Sequence, residues 1–135
     1  MKALFPNSPT ANRTVLVVDD EAAVRDSLRE LLTGVGYHVV VADNAATALR
    51  AVEREEPDLV LTDIYMDSGD GYELIAALRE RGALMPVVAM SAGRTGYDTL
   101  KTALLLGADA VIDKPFRNAG LVETIDRQLA RPQPA

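Results

Sequence analysis

The chain has no cysteine and no tryptophan. The first absence removes disulfides, thiol nucleophiles and cysteine metal sites, and nothing suggests an oxidising compartment. With only four Tyr and two Phe, the core must be built from Val, Leu, Ile and Ala. Positive charge is also short: 14 Lys and Arg stand against 20 Asp and Glu, a formal net charge of −6. Phosphate neutralisation needs clustered Lys and Arg, so direct binding to nucleic acid is disfavoured. No apolar run approaches the roughly 18 residues of a membrane span. The stretch Met1 to Arg13 contains Pro6, Asn7, Ser8 and Pro9 but no continuous apolar run, and does not read as a signal peptide. The cytoplasm is the default expectation. No glycine-rich loop follows the first apolar run, which argues against a P-loop or dinucleotide enzyme.

What is present suits one domain of ordinary size: 135 residues, 48% hydrophobic and 25% charged. Five short apolar runs alternate with five amphipathic segments. The runs are Thr14–Asp19, Tyr37–Ala42, Leu59–Asp63, Val87–Ser91 and Ala110–Asp113. Most do not alternate, as expected of strands buried on both faces. The first helical stripe is Val24, Leu28, Leu31 and Leu32, closed by Gly34 and Gly36. Asn44 is placed to cap a second helix with Ala45, Ala48, Leu49 and Val52 inward, and Pro57 helps stop it. A third presents Leu74, Ile75 and Leu78 and ends near Gly82. A fourth carries Leu100, Ala103 and Leu104 to Gly107, and the last holds Leu121, Val122, Ile125 and Leu129. Strand–helix alternation predicts an α/β fold, a doubly wound parallel sheet covered on both faces. In such sheets ligands gather at the carboxyl ends of the strands.

The chemistry-bearing residues fall there. Asp19 and Asp20 end the first run, Asp63 the third and Ser91 the fourth, and Lys114 follows the fifth. Three carboxylates in one pocket repel one another and call for a proton or a cation. Hard oxygen ligands suit Mg²⁺, which takes one or two carboxylates together with phosphate oxygens. A metal and a lysine flanking one carboxylate is a layout for phosphoryl transfer. Asp also ends strands merely because it favours turns and caps, and Asp20 with Glu21 would serve to open a helix. Ser91 or Lys114 alone means nothing. Their joint occurrence at successive strand ends makes the bland account a poor one.

The segments Val17-Val18-Asp19-Asp20-Glu21, Pro57 through Asp63, Ser91-Ala92, and Gly107-Ala108-Asp109 through Lys114-Pro115-Phe116 resemble those of response-regulator receivers, in order from Thr14 to Leu129. The resemblance implies a flavodoxin-like sheet of five strands in the order 2-1-3-4-5, as in a chemotaxis member of the family, with five helices. It implies that Asp63 is the phosphoacceptor, attacking phosphohistidine on a sensor histidine kinase or a histidine phosphotransfer protein. It implies Mg²⁺ held by Asp20, Asp63 and the backbone carbonyl of Tyr65, with Asp19 acting through water. Lys114 would pair with a phosphoryl oxygen, and the Ser91 hydroxyl would swing toward it. Gly71 matches the family glycine that follows Asp70, and the Lys114–Pro115 bond is expected to be cis. Such a domain signals and catalyses only its own phosphorylation and dephosphorylation.

Three positions leave the family pattern. Asp67 stands where proline is usual, and its carboxylate is expected to face solvent. Tyr65 is expected over the site mouth, where it would either hinder the hydrolytic water or sit as an exposed loop tyrosine. Val111, three residues before Lys114, replaces the aromatic residue of many relatives. A valine has no ring to turn inward and is stiff at χ1. Signal transmission then relies on loop and helix-four displacement, or is weaker. Leu105, off the inner stripe of helix four, is open to an interface role, although a lone exposed leucine is ordinary.

The domain is expected over residues 14–130, with tails at 1–13 and 131–135. A stand-alone regulator and one followed by an effector are both compatible with this, as is a homodimer or effector contact through helix four, strand five and helix five. A phosphohydrolase with an Asp nucleophile is the competing enzyme class, disfavoured because the strand-one pair is adjacent rather than Asp-x-Asp. A pseudo-receiver that binds partners without phosphorylation is disfavoured by the complete pocket, though Val111 keeps it open. His38, the one histidine, lies in a predicted strand and is read as structural or exposed, against a histidine phosphocarrier.

Overall fold

The structure is a computed structural model that describes residues 13–66, 71–91 and 97–131. Strands and helices alternate: β1 Thr14–Val18, α1 Ala22–Val35, β2 His38–Ala42, α2 Ala45–Glu55, β3 Leu59–Asp63, α3 Gly71–Glu80, β4 Val87–Ser91, α4 Tyr97–Leu106, β5 Ala110–Asp113 and α5 Asn118–Ala130. All pairings are parallel, and the strand order is β2-β1-β3-β4-β5, as the resemblance implied. The chain runs outward from β1 to β2, then back across β1 to β3 and onward. Keeping one hand of crossover while the direction reverses puts the helices on opposite faces.

Two cores result. Val15, Val17, Leu59, Leu61, Val88 and Met90 pack under α1 and α5 through Leu28, Leu32, Leu121, Ile125 and Leu129. Alternate residues, Leu16, Val18, Val60, Val87 and Ala89, pack under α2, α3 and α4. The central strands are apolar at consecutive positions because both of their faces are covered.

The helix ends follow their local chemistry. Asn44 accepts from the Thr47 N–H at 2.9 Å while the Thr47 hydroxyl takes the Asn44 N–H, a capping box. Gly36, at φ 119°, is the left-handed cap of α1, whereas Gly34 lies inside that helix. After α2 the left-handed position falls to Glu56, at φ 46°, before Pro57.

Three expectations need correction. β1 stops at Val18, because the Asp19 carboxylate turns back to accept the Glu21 N–H at 3.0 Å and starts a turn. The stripe of α4 is rotated: Thr99 and Ala103 are buried, while Leu100 and Leu104 are exposed together with Leu105. The β2 strand begins one residue late, since the Tyr37 N–H closes the α1 turn onto Leu32. Tyr37 is buried and donates a short hydrogen bond to Asp126 of α5. Burial first, then that bond and the Asp126 charge, push its phenol well above the usual range.

Candidate functional site

The strand order reverses between β1 and β3, and the acidic residues sit at the carboxyl ends of these strands. Asp63 is the last residue of β3, Ser91 the last of β4, Asp19 follows β1 and Lys114 follows β5. Parallel strands carry all four to one edge of the sheet. His38 opens β2 at the opposite edge and is exposed.

Lys114 stands between two carboxylates, its Nζ 3.3 Å from Asp19 Oδ2 and 3.6 Å from Asp63 Oδ2. Asp19 is fully buried and uses its other oxygen on the Glu21 N–H. Its backbone carbonyl accepts from Arg25 of α1 at 2.8 Å. The Asp63 side chain is also almost completely buried. Desolvation raises its pKa above the ordinary carboxylate value; Lys114 opposes the rise, Asp19 adds to it, and backbone N–H bonds from Tyr65 and Ile64 oppose it. Among the described residues, Asp63 Oδ1 and Ser91 Oγ are buried atoms without a hydrogen-bond partner. Orphaned buried polar groups are costly and uncommon, and two at one sheet edge mark a place built to meet a polar ligand.

Backbone packing sets the geometry. Gly71 opens α3 with its N–H 2.6 Å from the Ile64 carbonyl. A Cβ at residue 71 would stand 2.1 Å from the Asp63 carbonyl oxygen, so no side chain fits there. The Lys114–Pro115 bond is cis, in agreement with expectation. Beside Lys114 a groove of about 510 Å³ is lined by Val24, Pro115 and Phe116.

The carboxylate oxygens of Asp19, Asp20 and Glu21 lie within 4.8 Å of one another. Hard oxygen donors at this spacing, next to the orphaned Asp63 Oδ1, fit an oxygen-loving divalent cation. Glu21 is the addition to the expected set. Its place as the N-cap of α1 had accounted for it, and only the turn at Asp19 shows its carboxylate facing the same space.

The Tyr65 side chain is about half exposed and leans toward α3 and α4, with its ring edge-on to Tyr72. Val111 packs into the core beneath α4 with Ala103. Asp67, Asp70 and Ala92 lie outside the described residues.

The fold and this sheet edge define a doubly wound α/β domain with an acidic, lysine-bearing site at the carboxyl ends of its strands. The model of the response regulator receiver domain family matches residues 15–126. The chain is 37% identical over 120 residues to the DNA-binding transcriptional regulator NtrC of Rhizobium meliloti (strain 1021), covering 89% of this chain and 25% of that protein. It is likewise 37% identical over 120 residues to the response regulator MprA of Mycobacterium leprae (strain TN), covering 89% of this chain and 52% of that protein. A solved receiver domain protein described as CheY-like, from Methanospirillum hungatei JF-1, superposes with a TM-score of 0.82 at 31% identity, covering 88% and 94% of the two chains. The chain belongs to the response regulator receiver domain family of two-component systems, whose general role is to accept a phosphoryl group and signal. It spans between a quarter and about half of the length of these two curated relatives. Among the described residues, no helix is long and apolar enough to cross a membrane.

Proposed function

We propose that residues 14–130 form a phosphoacceptor module in which Asp63 takes a phosphoryl group from a phosphohistidine of a sensor kinase or phosphotransfer protein in the cytoplasm. The observation that carries this reading is the pairing of Lys114 with both Asp19 and Asp63 beside the unpartnered Asp63 Oδ1 and Ser91 Oγ. A carboxylate oxygen of Asp63 attacks phosphorus as the phosphorus–nitrogen bond breaks. The bonding pair returns to the imidazole, and an acyl phosphate forms. Hydrolysis reverses the gain: water attacks phosphorus, the carboxylate leaves, and inorganic phosphate is released.

Each residue has a part in this. Lys114 holds positive charge where phosphoryl oxygens would gather, in a largely buried setting that strengthens the attraction. Ser91 supplies a hydroxyl that has no competing partner among the described residues. Asp19, Asp20, Asp63 and the Tyr65 carbonyl would hold Mg²⁺, with Glu21 in reach and Asp19 acting through water. When bound, that ion supplies charge neutralisation for phosphoryl oxygens. Burial works against the Asp63 charge, because it disfavours the ionised state, and Lys114 offsets part of that cost.

The test is incubation with a small-molecule phosphoryl donor and Mg²⁺, followed by intact mass. The expected result is a gain of one phosphoryl group that disappears in Asp63→Asn and without metal. A folded, metal-supplied parent that gains nothing overturns the reading in favour of a partner-binding module without phosphorylation.

A further inference from the structure

Tyr65 touches two parts of the molecule at once. It follows Asp63 by two residues, and its backbone N–H favours the charged form of the Asp63 carboxylate. Its hydroxyl lies 3.3 Å from Thr99 Oγ1 on α4. The ring is held edge-on by Tyr72 in the first turn of α3, with centroids 6.2 Å apart and planes at 79°. Thr99 is only 8% exposed and lies one turn before the buried Ala103, whereas Tyr65 is 48% exposed. A rigid side chain thus spans from the end of β3 to the inner face of α4.

The residue between has little room to move. Ile64 is fully buried, its N–H bonded to the Met90 carbonyl at 3.0 Å and its carbonyl to the Gly71 N–H at 2.6 Å. Of the two residues that follow Asp63, Tyr65 is therefore the less confined, being about half exposed where Ile64 is fully buried. Hydrogen bonds weaken steeply with misalignment, so a small displacement of Tyr65 registers at Thr99. Val111, which shares the core beneath α4 with Ala103, offers neither a ring nor a polar group for this purpose. The outer face of α4 carries Leu100, Leu104 and Leu105, the last 76% exposed, so movement of this helix redistributes apolar surface.

We infer that Tyr65 is a positioning residue that couples the state of the Asp63 carboxylate to the placement of α4 through its hydroxyl pair with Thr99. The inference rests on Asp63 being the phosphoacceptor. Coupling of this kind is reciprocal, so the placement of α4 also sets how readily Asp63 is modified.

The test records backbone amide chemical shifts of the parent, Tyr65→Phe, Thr99→Val and the double variant, with Mg²⁺ and beryllofluoride as the phosphoryl mimic. In the parent, amides around Asp63, Ser91 and Lys114 respond together with those of α4. In either single variant the α4 response falls by about twofold or more, as one lost hydrogen bond would produce, while the response at Lys114 persists. The double variant shows no further loss. Thr99→Ser keeps the hydroxyl and retains the α4 response; loss of that response there assigns the effect to packing and overturns the coupling. A full α4 response in both single variants also overturns it, leaving the phosphoacceptor reading intact. A parent with no response anywhere overturns that reading and the coupling with it.

Discussion

Asp occurs at both edges of the sheet, and the two edges treat it in opposite ways. At the amino edge Asp58 and Asp109 each accept a backbone N–H that starts a strand. Asp58 accepts from the Thr14 N–H at 2.7 Å, with Arg13 beside it. Asp109 Oδ2 accepts from the Val87 N–H at 2.8 Å and from Arg79 at 2.9 Å, and Arg79 also holds the carbonyls of Gly107, Ala83 and Met85. These carboxylates tie strand starts to neighbouring loops. At the carboxyl edge the polar groups are more deeply buried yet less satisfied, as Asp63 Oδ1 and Ser91 Oγ show. One edge spends its polar groups on holding the fold; the other keeps them available for a ligand. Residue type is the same, and the difference lies in what the neighbouring backbone offers.

The largest effect that would sharpen this contrast comes from Gly71→Ala, at the edge where backbone approach sets the geometry. A Cβ 2.1 Å from the Asp63 carbonyl forces the start of α3 away from β3. We expect a loss of about 3 kcal/mol in chemical denaturation, together with loss of phosphorylation. A smaller loss, about 2 kcal/mol, is expected from Asp109→Ala, which orphans the Val87 N–H and frees Arg79. Its phosphorylation should survive, and an equal loss of both would blur the division between the edges.

Asp63→Asn is expected to act with the opposite sign. Burial raises the Asp63 pKa in the fold above its ordinary value of 3.8. The folded state therefore binds a proton more readily than the unfolded chain. That contribution is complete below the unfolded value and is lost as pH rises through the folded one. In metal-free buffer the Asn variant should unfold at a higher temperature than the parent at neutral pH, with the gain shrinking as the pH falls toward 3.8. A gain independent of pH would remove the charge from the explanation. The smallest stability change, within about 0.5 kcal/mol, is expected from Ser91→Ala, since no hydrogen bond is lost among the described residues. Its phosphoryl chemistry should slow nonetheless, which initial rates with the small-molecule donor would measure.

Much of this edge was legible in the chain. The runs from Leu59 to Asp63 and from Val87 to Ser91 are apolar until Thr62, Asp63 and Ser91 at their carboxyl ends because both sheet faces are covered, and those strands fell where the runs did. Asn44 and Gly36 fixed helix ends through local geometry alone. Helix α4 was misread because Leu100 and Leu104 look like an inner stripe, and hydrophobicity by itself does not choose which way a short helix turns. Thr99 and Ala103 took the inner face, where Tyr65 and the core around Val111 lie. Glu21 escaped notice for a similar reason: a helix-opening residue gains a second setting only when the turn at Asp19 brings their carboxylates together.

By itself, then, the sequence determined the strand–helix alternation, the family, and the placing of Asp19, Asp63, Ser91 and Lys114 at strand ends. These depend on periodicity and order along the chain, which local patterning carries. Only the tertiary structure decided which of those groups are paired, which stay unsatisfied, and which face of α4 meets Tyr65. Those outcomes depend on distances of about 3 Å between residues far apart in sequence, a scale at which hydrogen bonds form or fail and which no local pattern encodes.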